Sequence, residues 1–157
     1  VIPFFLKQMK AGTLTITDER MTRFMITLKD AVDLVLTAFA DMSGGELYVK
    51  KIPSMNITSI AEAVCKSCEL QYIGIRDGEK LHEQMIGPDD APYTYEYGTY
   101  FKVLPTIHNW NKDPKKIGNG KLVSPGFTYT SDNNVEWMDI DDLKNWIVTN
   151  KGKLLKI

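Results

Sequence analysis

Nothing in this 157-residue chain approaches the roughly 20 consecutive apolar residues that a membrane-spanning helix needs, and the opening VIPFFLKQMKAG lacks a signal-peptide layout. Charge of one sign is also missing. Nineteen basic side chains face twenty acidic ones, a net charge of −1. That balance removes the electrostatic case for a nucleic-acid surface or a polybasic membrane contact, so neither partner is expected. Catalytic signatures are absent as well. No Gly-x-Gly-x-x-Gly follows a strand pattern, since Gly118-x-Gly120 sits in a polar stretch without its third glycine. There is no phosphate-loop Gly-x-x-x-x-Gly-Lys-Ser/Thr and no Tyr-x-x-x-Lys pair, and neither histidine has a nucleophile beside it. No catalytic, cofactor-binding or metal-ligating residue is therefore assigned within the chain.

Cysteine is scarce. Cys65 and Cys68 form a lone Cys-x-x-Cys, which reads either as half a zinc site or redox pair, or as structural packing. Zinc needs two further ligands, and His82 and His108 are the only histidines. Ile57, Ala61, Val64 and Cys68 recur at helical spacing, which places Cys68 on an apolar stripe and favours the structural reading. Without a disulfide framework, a reducing compartment is the default expectation.

What is present is the composition of a globular domain, 43% apolar and 25% charged, in a chain long enough for a sizeable core. Helix and strand signals alternate, which predicts an α/β fold with helices following strands. Val1 to Lys10 reads as the remainder of an amphipathic helix ended by Gly12, followed by short extended pieces at 14–17 and 23–26. Thr27, with Asp30 three residues on, starts a helix whose buried face is expected to be Leu28, Val32, Val35 and Phe39; Gly44-Gly45 stops it. A strand at 46–50, a connection through Pro53, and a helix signalled by Ser59 and Glu62 come next. The texture changes after Gly87. Residues 93–97 and 100–103 alternate like edge strands, and Trp110 to Ser124 reads as a mobile loop. Asp139 or Asp142 opens a last helix carrying Leu143 and Ile147. Residues 1–90 thus form one α/β portion and 91–157 a C-terminal extension.

One segment invites chemistry. In GIRDGEKLHE, Arg76 follows the apolar run Tyr72–Ile75 and precedes Leu81 and Met85, spaced as one face of a helix. An arginine where a strand turns into a helix combines a guanidinium fork with unpaired N–H groups, an arrangement that suits a diphosphate. The plainer alternative is that Arg76, Glu79 and Glu83 form exposed ion pairs. The tyrosines at 93, 95 and 97 read as strand packing rather than a stacking platform, and Asp132-Asn133-Asn134 as turn geometry.

The ordered series VIPFF, ITDERMTRFMITLKDAVD, GGELYVKKIPSMNIT, IGIRDGEKLHEQMI, YTYEYGTYFKV and FTYTSDNNVEW resembles the C-terminal half of the inverting UDP-N-acetylglucosamine 4,6-dehydratases, across essentially residues 1–150. These are extended short-chain dehydrogenase/reductase enzymes of pseudaminic acid and polysaccharide biosynthesis. The resemblance implies the substrate-binding portion of such an enzyme, lacking most of the Rossmann domain. The NADP cofactor and the catalytic residues would lie in sequence outside this chain, whose start at Val1 fits a piece of a longer protein. It further implies a UDP-sugar partner, a cytoplasmic location and a homo-oligomer when full length. Residue by residue, Arg76 matches the arginine that pairs with the nucleotide diphosphate, Glu79 its neighbour near the ribose, and Thr17 the strand end that meets the uridine. Val1 matches the start of the helix over the nucleotide, and Arg23 a second anion contact or a tie for the Asp18-Glu19 turn. Asp77 departs from the family, where proline is common, and puts a negative charge near the phosphate. The alternative is a non-catalytic nucleotide-sugar-binding or subunit-interaction module.

Overall fold

The structure, a computed structural model, describes residues 1–154. In chain order the elements are α1 (Ile2–Gln8), β1 (Thr13–Ile16), β2 (Thr22–Phe24), α2 (Leu28–Asp41), β3 (Leu47–Lys50), β4 (Ser54–Asn56), α3 (Ile57–Val64) and β5 (Glu69–Tyr72). There follow β6 (Gln84–Ile86), β7 (Thr94–Glu96), β8 (Tyr100–Val103), α4 (Pro114–Ile117), β9 (Lys121–Leu122), β10 (Tyr129–Thr130) and α5 (Ile140–Leu154). This is an α/β fold. The chain packs as two compact units that each draw on several stretches of sequence.

The first unit comprises Val1–Met25, Pro53–Glu83 and the described residues from Asn134 onward. Its centre is the parallel pair β1–β5, in register from Thr13↔Glu69 to Ile16↔Tyr72, with β2 and β4 forming an antiparallel pair. Alternation along β1 sends Leu14 and Ile16 into the core, where they meet Phe5 of α1, Met55 of β4, Ile60 of α3 and Leu143 and Ile147 of α5. Burying each such side chain contributes about 1.5–3 kcal/mol. Gly12, at φ 77°, takes the left-handed conformation that closes the 3-10 turn after α1. Asp139 opens α5: its carboxylate accepts the Asp141 N–H at 2.7 Å and its carbonyl the Leu143 N–H at 3.2 Å. The SDNNVEW tail is structural here. Ser54 donates its N–H to the Glu136 carbonyl, and Asn134 donates from Nδ2 to Ser54 Oγ at 3.0 Å.

Three expectations change here, the last of them running on into the second unit. α3 begins at Ile57 after Asn56 rather than at Ser59, and it ends at Val64. Cys65 and Cys68 therefore lie in the turn beyond it, joined as a disulfide, and not on its apolar stripe. The step from unpaired cysteines to a reducing compartment loses its premise. The largest revision concerns residues 76–87, which form turns and β6 instead of a helix. Gly74 and Gly78 adopt φ of 80° and 83°, left-handed values that interrupt right-handed helix. Met85 belongs to β6, whose Gln84 and Ile86 pair with β10.

The second unit comprises Ile26–Ile52 and Gln84–Asn133. Its antiparallel sheet has the order β3-β8-β7-β9, so β7 and β8 are both interior strands rather than the edges their alternation suggested. Residues 110–124 are not a featureless loop: they carry α4 and β9, held where Tyr95 and Tyr97 donate hydroxyl protons to the carbonyls of Asn111 (2.8 Å) and Ile117 (2.6 Å). Those bonds make the tyrosines packing residues. Thr27 caps α2 as its spacing implied, accepting the Asp30 N–H at 3.1 Å. The buried face does not follow. Leu28 and Phe39 are 82% and 71% exposed, and Val32 and Val35 about half exposed. The helix instead turns acidic groups toward its own sheet, with Asp30 on Lys50 at 3.2 Å and Asp41 on Lys102 at 2.9 Å and Tyr48 at 2.6 Å.

Candidate functional site

Parallel pairing of β1 with β5 makes both strands run out at the same end, and the crevice beyond the carboxyl ends of such strands is where α/β folds bind ligands. The ladder continues one step, with the Ile73 N–H on the Ile16 carbonyl at 3.0 Å, before the two segments part. Between them opens a cleft of about 320 Å³. Thr15, Ile16 and Thr17 form its floor, Val1, Phe4 and Phe5 of the α1 segment one wall, and Ile73, Arg76 and Glu79 another. Met21, Arg23 and Ile57 complete the lining. Gln8 fixes α1 against β1 through two bonds to Thr15, from Nε2 to Oγ1 at 2.8 Å and from the Thr15 N–H to Oε1 at 3.1 Å.

All five residues singled out from the sequence, Val1, Thr17, Arg23, Arg76 and Glu79, thus line one cleft of the first unit. Arg76 lies on an irregular turn and not at a helix start, so no helix dipole assists it. The turn closes on itself: the Glu79 N–H donates to the Arg76 carbonyl at 3.1 Å, and a Glu79 carboxylate oxygen accepts the Arg76 N–H at 3.1 Å. A carboxylate has about four acceptor sites, so Glu79 keeps capacity for a ligand hydroxyl. Arg76 is exposed and lines the cleft.

Arg23 is held differently. Its Nη1 donates to the carbonyls of Thr22 (2.7 Å) and Leu81 (3.0 Å), its Nη2 contacts Met21 Sδ (3.3 Å), and Nε lies 4.0 Å from Glu83. The Asp18-Glu19 turn is closed by Arg20, which donates from Nε, Nη2 and its backbone N–H to Asp18. The Arg20 side chain above all, then its backbone N–H, holds the pKa of the Asp18 carboxyl down at about 2. Sequence reasoning gives no role to the Phe4 and Phe5 wall, toward which only helical spacing in α1 points. It reads Glu83 as a member of exposed ion pairs with Arg76 and Glu79, and nothing local marks its contact, or that of His82, with β2.

The Gly118-x-Gly120 pair has a packing explanation. A Cβ on Gly120 would fall 2.5 Å from Tyr97 Cζ and 3.0 Å from Tyr95 Cβ, so tyrosine packing accounts for that glycine. No group of three or more histidine, cysteine, aspartate or glutamate side chains among the described residues is placed to hold a metal. No helix of the described residues is long and apolar enough to cross a membrane.

Comparison with known proteins decides the family. The profile of the family described as "Polysaccharide biosynthesis protein" matches residues 1–105. The chain belongs to this family. Within it, the chain is 45% identical over 159 aligned residues to the UDP-N-acetylglucosamine 4,6-dehydratase (inverting) of Campylobacter jejuni subsp. jejuni serotype O:2, and 43% identical to that of serotype O:23/36. Each match covers 97% of this chain and 48% of the relative. A UDP-glucose 4-epimerase from Rickettsia akari is 32% identical over 95% of this chain and 45% of its own length. Among solved structures, Pen from Bacillus thuringiensis superposes with a TM-score of 0.80 at 27% identity, covering 96% of this chain and 46% of that one. The resemblance read from the ordered motifs is borne out, and the chain spans about half the length of the relatives it matches.

Proposed function

We propose that this polysaccharide biosynthesis family chain is the substrate-binding, C-terminal part of a C5-inverting UDP-N-acetylglucosamine 4,6-dehydratase. In this reading it is the corresponding portion of an extended short-chain dehydrogenase/reductase that works in the cytoplasm as a homo-oligomer, in pseudaminic acid biosynthesis. The observation that carries the reading is the convergence of Val1, Thr17 and the Arg76–Glu79 turn, three separate stretches of sequence, on one cleft at the ends of two parallel strands. Arg76 presents a planar donor fork to the diphosphate, and Glu79 accepts from the ribose hydroxyls. The Val1–Phe5 segment and Thr17 border the uridine. A cleft of about 320 Å³ sits at the small end of ligand sites, which run from about 300 to 1,000 Å³. It suits a nucleotide whose sugar extends toward another part of the enzyme.

NADP, which supplies the hydride chemistry of such an enzyme, is assigned to residues outside this chain. The apolar face of α2 supports the same reading, because an uncovered face of that width is the kind of surface another part of a protein packs upon.

Titrating UDP into the chain by heteronuclear NMR tests the proposal. Weak binding is expected, with shifts at Thr17, Arg76 and Glu79, and Arg76→Ala should raise the Kd about tenfold or more, the worth of a hydrogen bond to a charged group. Shifts absent from these residues, or a Kd unchanged by Arg76→Ala, would overturn the diphosphate role. Binding without any dehydration of UDP-N-acetylglucosamine by a longer protein containing this segment would favour the non-catalytic module.

A further inference from the structure

The residues assigned to the nucleotide sit on a connection without helix or strand, so something else must fix where they point. Upstream of residues 74–80 the last anchor is the Ile73 N–H on the Ile16 carbonyl. Downstream, residues 81–83 are anchored on β2. The Thr22 N–H donates to the Leu81 carbonyl at 3.1 Å, and Arg23 Nη1 donates to the same carbonyl at 3.0 Å. Thr22 Oγ1 and His82 Nδ1 share a hydrogen bond of 2.8 Å. The Phe24 N–H donates to a Glu83 carboxylate oxygen at 2.7 Å, with Arg23 Nε 4.0 Å from the other oxygen.

One edge of β2 pairs with β4 in register, Thr22↔Asn56 to Phe24↔Ser54, which makes it a fixed platform. Its other edge receives residues 81–83 largely through side chains. Glu83 places a carboxylate where a strand ladder would place a carbonyl, and His82 meets a hydroxyl. Such an attachment holds the segment without extending the sheet into it, so the turn carrying Arg76 and Glu79 remains open to the cleft.

We propose that His82 and Glu83 are positioning residues: with Thr22, Arg23 and Phe24 they latch the end of the 74–80 connection and so hold Arg76 and Glu79 over the cleft for a nucleoside diphosphate. The proposal rests on the nucleotide reading of that cleft. It gives Arg23 a place in the latch, where its donors meet two carbonyls and its charge faces Glu83, and leaves Arg76 as the guanidinium that meets the diphosphate.

Hydrogen–deuterium exchange on the whole chain, with and without UDP, tests it. Glu83→Ala removes the acceptor of the Phe24 N–H and the carboxylate beside Arg23, and His82→Ala removes the partner of Thr22 Oγ1; exchange at residues 76–80 should rise about tenfold in each, the factor expected for a lost hydrogen bond of this kind. Amides of β1 and β5 should keep their rates, and the Kd for UDP should rise by a similar factor. Glu83→Gln keeps an acceptor for the Phe24 N–H, and His82→Asn keeps a polar atom in the place of Nδ1, so both should recover most of the protection and affinity. Unchanged exchange at 76–80 in both alanine variants overturns the latch. Faster exchange spread equally over β1 and β5 also overturns it, because the residues would then serve general stability alone. Loosening confined to 76–80, in a chain whose amides UDP leaves unperturbed, supports the latch and sinks the nucleotide reading of the cleft instead.

Discussion

The two units differ in what their interiors hold beside apolar side chains. In the first, Phe5, Leu14, Ile16, Met55, Ile60 and Leu143 are at most 2% exposed and form a continuous apolar core. The second also buries apolar side chains, Ile86, Phe101 and Leu104 among them, but adds a lysine in β8. The Lys102 side chain is 6% exposed, paired with Asp41 at 2.9 Å, with its Nζ 5.0 Å from the Tyr97 ring centroid and 5.9 Å from that of Tyr48. At the same time α2 keeps Leu28, Leu36 and Phe39 outside. An apolar core fixes strand ends without directional constraints, and the cleft lies at the ends of strands held this way. The second unit sets α2 on its sheet with hydrogen bonds and charge, which leaves a hydrophobic face available for another surface. One unit is organised around a site and the other around an attachment.

That contrast can be broken most directly in the first unit. Ile60→Ala should cost about 2–5 kcal/mol of unfolding free energy, the range for truncating a fully buried aliphatic side chain. Chemical denaturation with exchange at β1 amides measures it, and a cost below about 1 kcal/mol would mean the apolar core is not what holds the cleft.

Lys102→Met tests the other kind of interior. Removing one partner of a fully buried ion pair costs about 3–5 kcal/mol, but the Asp41 side chain is 41% exposed, so water screens the loss and about 1–2 kcal/mol is expected. The pH dependence has a definite sign. Hydrogen bonds from Tyr48 and then Lys102 hold the Asp41 carboxyl below its ordinary value, outweighing burial. That contribution is present above about pH 4 and is lost as pH falls through the lowered value. Burial works against the Lys102 ammonium, yet the Asp41 hydrogen bond and the Asp41 and Tyr97 charges together raise its pKa. Its contribution is present below about pH 10 and lost as pH rises through the raised value. Stability of the second unit should be flat between these limits and fall outside them, and Lys102→Met should flatten the alkaline fall.

The smallest effect sharpens the comparison. Phe39→Ser on the exposed face of α2 should change stability by less than about 0.5 kcal/mol while lowering self-association measured by light scattering. A large loss of stability would show that the face is already packed within the chain.

Much of this organisation is legible residue by residue, because local physics decides it. Thr27 caps α2 since its hydroxyl reaches the Asp30 N–H whatever the surroundings, and Leu143 and Ile147 are buried since one stripe of α5 meets α3. Gly12 ends its turn for the same local reason. The failures come where a pattern fits two structures. Leu81 and Met85 are spaced for a helix, yet Gly78 turns the chain and Met85 enters a strand. The stripe on α2 is apolar, as its spacing implies, but it is not buried, because periodicity reports which face is hydrophobic and not what covers it. For the cleft, Arg76 and Glu79 are legible as candidate ligand contacts, whereas the attachment of His82 and Glu83 is not: their partners lie about 60 residues away in β2.

By itself, then, the sequence determined the α/β alternation, the helix starts set by side-chain caps and the family to which the ordered motifs belong. These depend on neighbours within a few residues or on the identity of whole segments. Only the tertiary structure decided that Arg76 sits on a turn rather than a helix, that α2 shows its apolar face outward, and that Val1, Thr17, Arg23, Arg76 and Glu79 share one cleft. Each of those outcomes depends on strand pairing between distant segments. The parallel register of β1 with β5 brings the cleft's floor beside the turn that carries Arg76 and Glu79, and no local preference encodes that register.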